Sequence, residues 1–148
     1  MDEQVANPGI IQPSFRRVAL IGDIHCEDER LATVLRHFSS VDVDATLAVG
    51  DMVDGKGDAN RVCDLLAHSR VLAVMGNHDR WFLENRMREV REATPQSALN
   101  SSARCWLEQL PKTRSFQTPR GPLLLCHGMG EDDMNRIYPD ITSTLSST

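Results

Sequence analysis

Asp23 and His25 stand two apart, the spacing that puts same-side groups of an extended chain on one face, where both reach a single cation. Three more clusters carry similar donors: Gly50-Asp51-Met52-Val53-Asp54, Gly76-Asn77-His78-Asp79 and Cys126-His127-Gly128. Carboxylate oxygen, amide oxygen and imidazole nitrogen together suit divalent ions such as Mn, Fe, Zn or Ni, and no ligating cysteine pair points to a purely structural zinc site. Singly, an Asp or His at a strand end is more often a cap or a surface group than a ligand. The ordered set of four reverses that weighting.

The elements that must deliver these groups are legible as apolar runs. Val18–Ile21, 45–49, 71–75 and 123–125 each lead straight into one cluster, with Gly22, Gly50 and Gly76 allowing tight turns and close backbone approach. Between the first three runs, Leu31, Val34, Leu35 and Phe38 recur at helical spacing over 27–38, and a second helix is predicted over 60–67. Strand-helix alternation is the grammar of an α/β fold, whose ligand crevice lies outside the carboxyl ends of the strands, so the clusters converge there. Further helices are predicted over 81–91, as a charged surface helix, and 101–110, stopped by Pro111. Segments 114–118 and 123–126 around Pro119-Arg120-Gly121-Pro122 read as a hairpin.

Asp-x-His, Gly-Asp-x-x-Asp, Gly-Asn-His-Asp and a later His-Gly, in this order over residues 18–128, resemble the calcineurin-like metallophosphoesterase family. The resemblance implies a four-layer α/β/β/α sandwich and metal-dependent hydrolysis of phosphoesters, as a phosphatase or phosphodiesterase. It implies two divalent metal ions, manganese first, with Fe, Zn, Ni or Mg as alternatives. Asp23 and His25 would bind one ion, Asn77 and His127 the other, and Asp51 would bridge them, about 3.5–4 Å apart, with a metal-activated hydroxide as nucleophile. His78 would be a general acid near the leaving oxygen, with Asp54 behind it. Arg80, next to Asp79, is the candidate substrate contact. Arg86, Arg88 and Arg91 are assigned instead to a solvated helix face, with Glu84 four residues before Arg88; 131–133 reads as a solvated loop.

The family's closing Gly-His-x-His is absent. Of five histidines, the remaining two, His37 and His68, fall on predicted helix surfaces. The expectation is therefore a domain over 16–140 lacking its C-terminal part, between a flexible leader (1–15) and a tail (141–148). The competing reading is a catalytically inactive fragment that binds metal or a phosphorylated ligand. The Arg-Gly that follows the second motif in Ser/Thr protein phosphatases is also missing, favouring a small molecule or nucleotide over a phosphoprotein as substrate. An incomplete second sheet would leave an exposed edge open to self-association.

The chain's 148 residues, 41% hydrophobic and 25% charged, suit one globular domain with an ordinary core. A net charge of −5 argues against nucleic-acid binding. There is no run of membrane-spanning length and no signal-peptide pattern, and four scattered cysteines fit reduced thiols, so a cytoplasmic protein is expected.

Overall fold

The computed structural model describes residues 14–136 and 138; the tail and residues 1–13 of the expected leader lie outside these. Ser14 and Phe15 lie beside the hairpin, where the Phe15 N–H donates to the Gln117 carbonyl at 2.9 Å.

Three parallel strands, β1 (Val18–Ile21), β2 (Ala45–Ala48) and β3 (Leu72–Ala73), form one sheet in that order. Leu20 pairs with Leu47, and Leu47 with Leu72. The third apolar run extends past the two paired residues: Val74 still donates to Ala48, while Met75 turns to the carbonyl of Pro111. A second sheet is the hairpin β4 (Thr113–Thr118) and β5 (Gly121–Cys126), in antiparallel register with Thr113 opposite Cys126.

Alternation along β2 sorts the core into two layers. Ala48, with Ala73 of β3, faces the helices α1 (Asp28–Ser40), α2 (Ala59–His68), α3 (Asn77–Leu83) and α4 (Ser101–Glu108). Leu47 and Val74 face the hairpin and meet Leu125, Leu123 and Phe116. Helix α2 buries Ala59, Val62, Cys63 and Leu66, an apolar stripe at helical spacing, and its first turn is capped by Asp58, which accepts from Asn60 and Arg61. Asn100 caps α4 by accepting from Ala103. In α1, Leu31 and Leu35 are buried as expected, but Val34 is exposed.

Three of the four expected layers are thus present among the described residues: helices, parallel sheet and hairpin. The hairpin covers β2 and β3 and leaves β1 open, with Val18 39% and Leu20 59% exposed; Leu124, on the outer face of the hairpin, is 51% exposed. Among the described residues no helix is long and apolar enough to cross a membrane.

The predicted charged helix over 81–91 is corrected. Helix α3 begins earlier, at Asn77, and stops at Leu83; Asn85 follows in the left-handed region (φ 51), a conformation asparagine tolerates just beyond a helix end. Met87 (φ 50) and Glu92 (φ 57) keep the next stretch irregular. Glu84 and Arg88 are therefore not a helical pair, and Arg88 turns inward.

Candidate active site

The loops after β1 and β2 are laced together by backbone. Ile24 and His25 both donate to the carbonyl of Asp51, at 3.0 and 2.8 Å, and Cys26 donates to Met52 at 3.0 Å. His25 (φ 45), Asp51 (φ 56) and Asp54 (φ 64) are non-glycine residues held in the left-handed region, each at a cost of about 1–3 kcal/mol that the surrounding hydrogen bonds must offset. Gly76 is required by close approach: a Cβ there would collide with the Asp51 backbone nitrogen and carboxylate. Gly22, expected to serve likewise, has open space around it and no such requirement.

Asp79 gathers the site from beneath. Its fully buried carboxylate accepts from the N–H groups of Gly76 (3.0 Å), Asp51 (2.8 Å), Met52 (2.8 Å) and Val53 (3.3 Å). Burial pushes this carboxyl up to about 6, against the pull of those N–H donors. The Gly76-x-x-Asp79 spacing is that of an acidic residue reaching back over a helix N-terminus, a signal from which this role was readable in the sequence.

Asp51 is the hub. It is 3% exposed; its Oδ1 accepts from the His78 N–H at 2.9 Å, while its Oδ2 lies 3.7 Å from His25 Nε2 and 3.5 Å from His127 Nε2. The other nitrogen of each ring is committed, His25 Nδ1 to the Val53 carbonyl at 3.0 Å and His127 Nδ1 to the Val49 carbonyl at 2.8 Å. A carbonyl only accepts, so each Nδ1 carries a proton, and in the neutral ring each Nε2 turns a lone pair toward a carboxylate oxygen. Asn77 Oδ1 stands 2.9 Å from the same His127 Nε2. Converging lone pairs need a positive charge among them, so this donor set fits divalent metal ions. Burial raises the Asp51 carboxyl, opposed by His127, by the His78 N–H and by the His78 and His25 rings.

Two groups of side chains bring their donor atoms within 4.8 Å of one another: Asp23, Asp51 and His127, and His25, Asp51 and His78. Both share Asp51. Asp23, expected beside His25, groups with Asp51 and His127 and is exposed.

His78 donates from Nδ1 to Asp54 Oδ2 at 2.8 Å. Asp54 also receives both terminal nitrogens of Arg88, at 3.0 Å each, and the Thr94 N–H at 2.8 Å. Burial favours its protonated form, but the hydrogen bonds from Arg88, Thr94 and His78 together hold the carboxyl below its ordinary range. Arg88 is a correction to the solvated-face assignment: no local pattern distinguishes it from a surface arginine, and its partner is 34 residues away. Thr94 was missed for the same reason.

Arg80 does not meet the cluster directly. Its Nε and Nη2 hold Asp133 at 2.6 and 2.9 Å, and its Nη1 reaches Glu84 at 3.3 Å. Asp133, expected in a solvated loop, is instead half-buried in this pair, and Arg80 holds its carboxyl well below the usual range. A cleft of about 580 Å³ opens over Asp23, Asp51, Asn77 and His127, with Asp133 at its rim; another of about 540 Å³ opens on the His25, Asp54 and His78 side. His37 and His68 lie exposed on α1 and α2, as expected.

The family of calcineurin-like phosphoesterases matches residues 16–144. Among solved structures, a protein provisionally assigned as a diadenosine tetraphosphatase is 29% identical, with a TM-score of 0.55 over 72% of this chain and 46% of that one. A metallophosphoesterase from Sphaerobacter thermophilus is 25% identical, with a TM-score of 0.47 over 66% of this chain and 42% of that one. This chain therefore spans less than half the length of either structure. No curated protein matches significantly. On the profile match over most of its length, supported by the ordered motifs at the ends of β1, β2, β3 and β5, the chain belongs to the calcineurin-like phosphoesterases.

Proposed function

We propose that this chain hydrolyses phosphoesters with two divalent metal ions held around Asp51. The observation that carries this reading is the placement of Asp51 Oδ2 between the Nε2 atoms of His25 and His127, each ring oriented by a backbone carbonyl. Asp23 and His25 would hold one ion and Asn77 and His127 the other, with Asp51 shared between them. Bound there, the ions supply Lewis acidity that neutralises charge on the phosphoryl oxygens and activates water.

The chain's own residues account for the rest. His78 donates Nδ1–H to Asp54 and presents Nε2 to the cleft; in its doubly protonated form it gives the Nε2 proton to the departing oxygen and is left as the neutral Nδ1–H tautomer. Asp54 keeps that ring in one tautomer. Arg80 fixes the turn that carries Asp133 and would contact substrate only by leaving that partner. Manganese is the first ion to try, and a small phosphoester or nucleotide the first substrate; the provisional tetraphosphatase assignment of the 29% identical structure agrees with that class. Free thiols at all four cysteines fit a reducing, cytoplasmic setting, and the open β1 face fits self-association.

A second reading, metal or phospholigand binding without turnover, is favoured by the exposed places of His37 and His68 on α1 and α2, outside both donor groups, so that three imidazoles join Asp51 among the described residues. The test is hydrolysis of a chromogenic phosphomonoester and a phosphodiester with Mn, Ni, Zn or Mg, with Asp51→Asn prepared identically. Turnover abolished by Asp51→Asn supports the first reading. Folded, metal-binding protein with no activity above that control establishes the second.

A further inference from the structure

The segment after α3 carries a residue that the reading above does not use. Arg88 reaches back from an irregular stretch and closes a fork on both oxygens of Asp54, at 3.0 Å each, in a pocket where the Asp54 side chain is 1% exposed. The guanidinium is itself held: its Nε donates to the Arg86 carbonyl at 2.7 Å, and its central carbon lies 5.8 Å from the centroid of the buried Phe82 ring. Oδ1 of Asp54 receives Arg88 and the Thr94 N–H, Oδ2 receives Arg88 and His78 Nδ1, and the Asp54 N–H donates to Thr94 Oγ1 at 2.9 Å. The carboxylate is saturated, and one rotamer satisfies all four donors.

We infer that Arg88 is a positioning residue, whose fork locks Asp54 so that His78 keeps its proton on Nδ1 and its Nε2 aimed at the departing oxygen. The inference rests on the proposed role of His78. A lysine cannot replace the fork, since its point charge reaches one oxygen at a time and leaves the carboxylate free to swing. A salt bridge serving stability alone would make no such distinction at His78.

The test uses the full chain, metal-free and metal-loaded, as wild type, Arg88→Met and Arg88→Lys. Long-range proton-nitrogen spectra of the metal-free protein should show His78 as a single Nδ1–H tautomer in wild type and as a tautomer mixture in both variants. With manganese, kcat for phenyl phosphate should fall about ten- to a hundredfold with KM little changed, as expected for a misplaced general acid. The loss should be smaller for 4-nitrophenyl phosphate, whose leaving group needs less protonation. If Arg88→Met does not fold, Arg88→Lys, which keeps charge and bulk, decides. Unmoved His78 signals in the folded variant overturn the inference, as does an equal loss for both substrates. If wild type shows no turnover, the proposed function fails while the tautomer spectra still decide the role of Arg88.

Discussion

The carboxylate of Asp79 accepts the backbone N–H of Asp51 at 2.8 Å, so the loop after β2 hangs on a side chain delivered by the first turn of α3. Three further N–H groups converge on the same carboxylate. This one buried acid sets the relative height of two of the converging strand ends.

Asp79→Asn should therefore be costly although it is nearly isosteric. An amide offers one acceptor oxygen and turns its NH2 toward donors, leaving buried N–H groups unpaired. The expected loss is about 2–4 kcal/mol, read as a lower urea midpoint with unchanged slope. A midpoint equal to wild type would show that the four contacts contribute little.

Gly76→Ala tests the contact between the loops. The new methyl must displace Asp51. A manganese concentration about a hundred times Kd should stabilise wild type by about 2.7 kcal/mol, visible as an upward shift in Tm that chelator reverses. In Gly76→Ala that shift should shrink or vanish while the metal-free protein still melts cooperatively. A full metal-induced shift in the variant would mean that Asp51 is not the shared ligand.

The thiols should react in two classes. Burial pushes Cys26 up to about 11 and Cys63 up to about 12, leaving almost no thiolate at neutral pH, whereas Cys105 is exposed. A thiol reagent followed by mass spectrometry should mark Cys105 in the native protein, and Cys26 and Cys63 only after denaturation. Rapid native labelling at Cys63 would contradict the buried stripe of α2.

Acid should weaken the α1–α2 contact. Asp28 accepts from the Asp58 N–H and pairs with Arg61, and these interactions hold its carboxyl below the ordinary value. Because the folded value is the lower one, the stabilisation is present above about pH 4 and is lost as pH falls through the folded value. Arg61 is half exposed, so solvent screening limits the effect to about 1 kcal/mol or less. Asp28→Asn should melt below wild type at pH 7, and the gap should narrow as pH falls below about 4 toward the folded value.

What was legible in the sequence was whatever is written locally. The runs that became β1, β2 and β5, the stripe of α2 and the four clusters after the strands all depend on neighbours within a few residues. The helix predicted over 81–91 failed because Glu84 and Arg88 satisfy a helical spacing that the left-handed Asn85 interrupts. Arg88 and Thr94 were unreadable because their meaning lies in Asp54, 34 and 40 residues away. Asp133 likewise takes its role from Arg80, 53 residues distant. Asp79 stood inside a motif, and its spacing from Gly76 signals the cap on that N–H, but its contacts with the N–H groups of Asp51, Met52 and Val53, 26 to 28 residues away, were not written locally.

The carbonyls of Val49 and Val53 orient the two imidazoles through backbone already secured by the sheet and by Asp79. Main chain, not a bound ion, sets the aim of these rings, so the ions proposed around Asp51 would meet imidazoles already turned toward them, and a nitrogen and oxygen donor set of this kind would take more than one divalent metal. Preparations from different growth media should then carry different metals in one and the same scaffold.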